Sequence, residues 1–199
     1  MLIPKVLDNR TKLIIAVAFI GWLTLLACTV SVKDKDEGDK NSKVDIETPV
    51  GGIHVNEEAD VRDIGLPVYP GAKQKPKTDD DSKSANVNVS SSFFGLKVVA
   101  IEYLSDDSPQ KVIAFYQDQL KKFGNVVQCR TDKQGNDFSV SISNRGSKEV
   151  TCKGDNSGKV VELKVGTEDN QRLVSVEPSG NGSDFALVYV RARGKEDTI

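Results

Sequence analysis

Ser108-Pro-Gln-Lys-Val-Ile-Ala-Phe-Tyr-Gln-Asp-Gln-Leu-Lys-Lys-Phe-Gly124 carries a helical apolar period together with signals for where the helix starts and stops. Ser108 suits the N-cap and Pro109 the first helical position, where a missing N–H costs nothing. Asp106 and Asp107 put negative charge at the helix start, and Gly124 after Lys121-Lys122 ends it. Val112, Ile113, Tyr116, Leu120 and Phe123 recur at helical spacing and lay one apolar stripe along the element. The spacing therefore predicts one main helix over about 108–123.

On both sides the period changes from helical to alternate. Val87 and Val89, then Val99, Ile101 and Tyr103, predict a hairpin joined through Ser90 to Gly95. After the helix come candidate strands at Val126 to Cys129, Phe138 to Ile142, Val150 to Cys152, Val161 to Val165, Val174 to Val176 and Phe185 to Tyr189. Asp132 to Asp137, Ser143 to Gly146, Gly154 to Gly158 and Ser179 to Ser183 are rich in Gly, Asn, Ser and charge, which suits tight antiparallel connections. The predicted class is α+β: a largely antiparallel, twisted sheet with one main helix on part of one face, preceded by an N-terminal signal or anchor helix. Gly65-Leu-Pro-Val-Tyr-Pro-Gly-Ala72 should run extended into a turn at Pro70-Gly71 and dock its apolar residues on the core. Val44 to Glu47 and Ile53 to Val55 flank a Pro- and Gly-containing turn and predict a small hairpin, part of the domain or of its stalk.

The N-terminus decides where this domain works. Lys5, Arg10 and Lys12 precede an apolar run over 12–28, and the charged Lys33 to Lys40 follows it, so the segment reads as an export signal or membrane anchor. Leu25-Leu26-Ala27-Cys28 resembles the lipobox of bacterial lipoproteins. That resemblance implies cleavage before Cys28 after a diacylglycerol has been joined to its sulfur. The alternative is an uncleaved span over 13–32, because about 20 apolar residues cross a bilayer. Both place the remainder outside the cytosol, in the cell envelope. The Tyr-Pro-Gly-Ala segment ahead of a helix that begins Ser-Pro is similar to uncharacterised bacterial envelope proteins; the likeness covers about a quarter of the chain and implies no activity.

The predicted organisation is a signal or anchor over 1–27, a polar tether over 28–43, a hairpin and linker over 44–64, a globular domain over 65–193 and a tail over 194–199. A formal charge of -2 without a basic stripe argues against nucleic acid as a partner. Of the three cysteines, Cys28 is the lipid site, which leaves Cys129 and Cys152 to pair as a structural disulfide in an oxidising compartment. Neither a Cys-x-x-Cys redox form nor a four-ligand zinc set is present.

Few residues suggest chemistry. His54, the one histidine, falls between Ile53 and Val55 and reads as a surface residue rather than a base. Asp79-Asp80-Asp81 lacks the spacing of a calcium loop, and Gly154 to Lys159 lacks a full phosphate-loop run and precedes a strand, so it reads as a hairpin turn. Phe93 and Phe94 are expected to fill the core; if exposed, they would form a contact surface for an envelope protein or the bilayer. No cofactor and no metal are expected. The reading is a membrane-anchored envelope lipoprotein with a non-catalytic binding or scaffold domain. Its alternatives are a small-ligand binder, an envelope hydrolase with an unrecognised site, and a single-pass membrane protein.

Overall fold

A computed structural model describes residues 29–33, 43–48, 51–56, 59–76, 84–91, 94–134 and 147–194. The expected N-terminal helix, Cys28, the Asp79 to Asp81 run, Phe93 and the strand expected at Phe138 to Ile142 lie outside them. Among the described residues no helix is long and apolar enough to cross a membrane.

Among the described residues ten strands build one sheet. In chain order they are β1 (Thr29–Lys33), β2 (Lys43–Thr48), β3 (Gly51–Asn56), β4 (Lys73–Gln74), β5 (Ser84–Ser91), β6 (Gly95–Ser105), β7 (Val127–Thr131), β8 (Val160–Thr167), β9 (Asn170–Ser179) and β10 (Gly182–Arg193). The spatial order is β1-β2-β3-β5-β6-β10-β9-β8-β7, and β4 continues the line of β5 along β6. Every pairing is antiparallel. The hairpin of β2 and β3 joins this sheet through β3 and β5. Thr29–Lys33, placed by sequence within the tether, pairs with β2 as an edge strand; Thr-Val-Ser-Val-Lys has the alternation and β-branched content a ladder accepts.

Among the described residues two helices accompany the sheet: the short α1 (Val61–Ile64) and α2 (Pro109–Leu120), which a 3-10 turn extends through Phe123. Val112, Tyr116 and Leu120 of α2 are fully buried. They face Val99, Ile101 and Tyr103 of β6, Phe185 and Leu187 of β10, Val174 and Val176 of β9, and Val161, Leu163 and Val165 of β8, which belong to one core. Ser108 is the N-cap in backbone conformation, yet its hydroxyl makes no capping bond. The Lys111 N–H is instead taken by the Ser108 carbonyl at 3.0 Å.

A pair of tyrosines fastens the 65–72 segment to α2. The Tyr116 hydroxyl accepts the Tyr69 N–H at 3.0 Å and donates to the Pro67 carbonyl at 3.1 Å. Tyr69 in turn donates its hydroxyl to Asp107, just ahead of the helix, at 3.0 Å. Its ring meets Phe115 edge-on, with centroids 5.2 Å apart. α1 is pinned by Arg172, whose Nε donates to the Ile64 carbonyl at 2.8 Å and whose guanidinium lies 3.8 Å from the Phe123 ring centroid. Gly65 closes α1 at φ 74, a left-handed conformation that favours glycine.

Beyond β10 the sheet continues as a wing that α2 does not cover, and here the registers line up row by row. Val30, Ile46, Ile53, Val89, Leu96 and Ala192 stand opposite one another across β1-β2-β3-β5-β6-β10. Two residues further along lies a second aliphatic row of Val32, Val44, Val55, Val87, Val98 and Val190. The row between them is Ser31, Asp45, His54, Asn88, Lys97 and Arg191. Because successive strand residues point to opposite faces, the β2-β3-β5-β6 part of the wing has one aliphatic and one polar face.

The candidate strand at Val150 to Cys152 is reduced to a single bridge, Glu149 with Thr167. Past Val150 the chain turns along the outer edge of β7, where bonds other than a ladder hold it. Asn156 Oδ1 accepts the Arg130 N–H at 2.6 Å. Gly158, at φ 113, approaches Thr131 so closely that a Cβ would sit 2.1 Å from its carbonyl oxygen. Gly154 to Gly158 is thus an edge-covering strap rather than a turn between paired neighbours.

Burial holds the Tyr116 phenol protonated far above its ordinary range and raises Tyr69 and Tyr103 in the same direction. Unfolded tyrosines ionise near pH ~10, so the stability contributed by these groups is intact below that pH and lost as pH rises beyond it. Tyr116→Phe leaves the Tyr69 N–H and Pro67 carbonyl without their shared partner and should cost about 1–3 kcal/mol. Urea melts at pH 7 and pH 10.5 should show that loss, with a shallower alkaline decline in the variant.

Candidate functional site

Two polar assemblies lie on opposite faces of the sheet, and both escaped the sequence reading. The first is an open groove of about 430 Å³ between α1 and the β5-β6 hairpin, lined among others by Asn56, Asp60, Asp63, Gln74, Asn86 and Tyr103. The alternation of β5 aims Asn86 to this side, and α1 supplies the two aspartates. Asp60 is the N-cap of α1: its carboxylate accepts the Arg62 N–H at 2.8 Å and pairs with the Arg62 guanidinium. The Arg62 side-chain bond, followed by its N–H, lowers the Asp60 pKa to about 2. Asp63 is held by Lys97 at 3.3 Å and by Asn86 Nδ2 at 3.4 Å, while Asn88 Nδ2 donates to Asn86 Oδ1 at 3.0 Å. Tyr103 lies on the floor, stacked on Phe185 with centroids 5.5 Å apart. Burial, and then the Asp60 charge, keeps its phenol protonated. A fixed carboxylate, amide groups and a protonated phenol suit hydrogen-bonded recognition of a polar ligand better than proton transfer.

The second assembly is a cluster in which Lys75 is clamped between carboxylates on the face opposite α2. Its ammonium pairs with Asp184 and lies 3.1 Å from Glu102. Glu177 stands directly across from Asp184 in the β9-β10 ladder. Burial alone would lower the Lys75 pKa, but Asp184 and Glu102 outweigh it and hold the ammonium above its ordinary range. Desolvation, then the Asp184 charge, raises Glu177. Asp184 is buried, with Oδ1 unpartnered. These residues come from β6, β9, β10 and the segment after β4, so sequence offered four isolated charges. Among the described residues no group of three His, Cys, Asp or Glu is placed to hold a metal ion.

His54 is on the polar face of the wing, with Nδ1 2.9 Å from Asp45 and Nε2 3.2 Å from Glu47. Both ring nitrogens are engaged across the β2-β3 hairpin, which makes this histidine a clasp between strands. Phe94 is 38% exposed at the β5-β6 tip; its backbone closes the turn with Ser91, which holds the ring outside the core expected for it. In Gly154 to Lys159, Asp155 accepts the Ser157 N–H at 3.2 Å and Asn156 accepts from Arg130, so these polar groups shape the strap and tie it to β7.

Cys129 and Cys152 form a disulfide with their Cα atoms 5.4 Å apart. Cys129 is wholly buried on β7, and the bond secures the strap over that strand's open edge. Unpaired strand edges invite association with other chains, so the same bond protects against edge pairing. Replacing both cysteines by serine should cost about 3 kcal/mol from the loop released, measurable as a lower midpoint in urea. Glu177 supplies a pH-dependent contrast. A raised carboxyl pKa means stability that is complete below the ordinary glutamate range and lost as pH rises through the folded-state value. Glu177→Gln should therefore raise Tm at pH 7, and the gain should vanish by pH 4.

Compared with family models, with curated proteins and with solved structures, the chain finds no match.

Proposed function

We propose that this chain is an exported envelope lipoprotein, anchored through Cys28, whose domain binds a partner or ligand without catalysing a reaction. The observation that carries the reading is the Cys129–Cys152 disulfide in a chain that opens with a basic, then apolar, then cysteine-terminated leader. Disulfides persist in oxidising compartments, and such a leader delivers a domain to one. Two independent features of the chain, its leader and its cysteine pair, thus argue for the same location. β1 begins at Thr29, immediately after Cys28, so a lipid on that sulfur would hold the sheet close to the bilayer.

The binding part of the reading draws on the groove between α1 and the β5-β6 hairpin. Its carboxylates and amides are spread around a phenol rather than converging on a nucleophile, which supports recognition. A small polar ligand at this groove is the second reading, favoured by its open volume of about 430 Å³.

Cys28→Ala separates a lipid anchor from an uncleaved span. Cells labelled with a radioactive fatty acid should incorporate label into the natural chain and none into the variant, and the variant should leave the membrane fraction. Retention of unlabelled variant in membranes would instead establish the single-pass anchor.

A further inference from the structure

We infer that the groove between α1 and the β5-β6 hairpin binds a neutral saccharide unit, whose hydroxyl groups are taken up by Tyr103, Gln74, Asp60 and Asp63. The inference rests on the second reading above, a small polar ligand at this groove, and gives that ligand a chemical class. It starts from Tyr103, which is stacked on Phe185 and only 6% exposed. A tyrosine buried to that degree ordinarily finds its hydroxyl a partner. Tyr69 donates to Asp107 in this way, and Tyr116 to the Pro67 carbonyl. The Tyr103 hydroxyl has no such partner among the described residues, and the residue lines the groove. A donor held ready in a buried ring, and spent on nothing in the fold, is left for a group that enters from solvent.

The groups around that hydroxyl select the ligand's chemistry. Gln74 stands directly opposite Tyr103 in the β4-β6 ladder, so its exposed amide lies beside the phenol on the same face. Asp60 and Asp63 keep side chains that are 42% and 39% exposed, which leaves the groove open to solvent. Each of these carboxylates already has its cation, Asp60 in Arg62 and Asp63 in Lys97. A cationic ligand would have to displace one of those partners, and an anionic ligand would meet two carboxylates. A neutral ligand faces neither cost. A hydroxyl both donates and accepts, so one that donates to an aspartate can accept from the phenol or from the Gln74 amide. Ala59, Val61 and Ile101 set apolar carbon between the polar groups, a surface for the C–H face of a sugar ring. The volume of about 430 Å³ lies low in the roughly 300–1,000 Å³ range of small-ligand clefts, which suits a single ring at the end of a glycan.

Side-chain amide resonances of Gln74 and Asn86 read the groove directly. Full-length nitrogen-15-labelled chain in dodecylphosphocholine micelles, which carry no sugar, would be titrated with maltotriose, mannotriose and chitotriose, and separately with spermidine and citrate. Expected is a saturable shift of both resonances with at least one trisaccharide and with neither charged probe. Tyr103→Phe keeps the ring and removes the hydroxyl, so it should raise Kd about tenfold, the loss of one hydrogen bond. Its urea midpoint at pH 7 should stay that of the natural chain, because the hydroxyl holds nothing in the fold. Gln74→Ala, on an exposed strand, should weaken binding similarly and supplies the same reading should Tyr103→Phe fail to fold. Trisaccharide binding that neither substitution weakens overturns the inference. Shifts from spermidine or citrate but from none of the sugars overturn the saccharide class and leave the polar-ligand reading standing. No shift from any of the five probes overturns both.

Discussion

The ladder between β6 and β10, continuous from Gly95 opposite Arg193 to Ser105 opposite Ser183, is the constraint on which the remaining structure depends. A strand has a side-chain period of two, so one such ladder fixes the face of every residue on both strands, and a slip by one position would invert them all. Tyr103 and Phe185 consequently meet beneath α2, while Glu102 and Asp184 meet on the other side around Lys75. β9 and β8 extend the same alternation in one direction. In the other, β5, β3, β2 and β1 extend it into the wing.

Those two directions have different physical characters. Toward β8 the apolar rows are closed over by α2, whose stripe is fastened by the Tyr69–Tyr116 exchange and by Arg172 between the Phe123 and Tyr189 rings. Toward β1 the aliphatic rows lie on the face away from α2, where Val44, Ile46, Val55, Val87 and Val98 are half-buried and Ile53 is exposed. One continuous sheet therefore serves as core at one end and as an amphipathic plate at the other. The groove at α1 lies at their junction, where the helix layer ends and the polar face of the wing begins.

The edges of the sheet are managed by unlike means. At β7 the disulfide, Asn156 and the close approach of Gly158 lay a strap along the edge strand. At the opposite edge β1 follows directly from the apolar leader, so on the proposed reading the membrane anchor itself guards that end. On that reading an oxidising compartment would supply the bond for one edge and a bilayer the tether for the other, which would tie the stability of the fold to its location.

Sequence alone determined the elements whose signals are local. The α2 stripe, Pro109, Gly124, the β5-β6 hairpin and the alternating C-terminal strands were legible because each depends on neighbours a few residues away. The cysteine pair was legible because composition left few other partners. Local signals failed where a tertiary bond replaced them: Val150 to Cys152 reads as a strand but follows the β7 edge, and Phe94 reads as core but is held out by its own turn. The groove, the Lys75 cluster and the two aliphatic rows were decided only by tertiary structure. Each joins residues from strands far apart in the chain, and no spacing within a single segment records which strands will become neighbours or in which register.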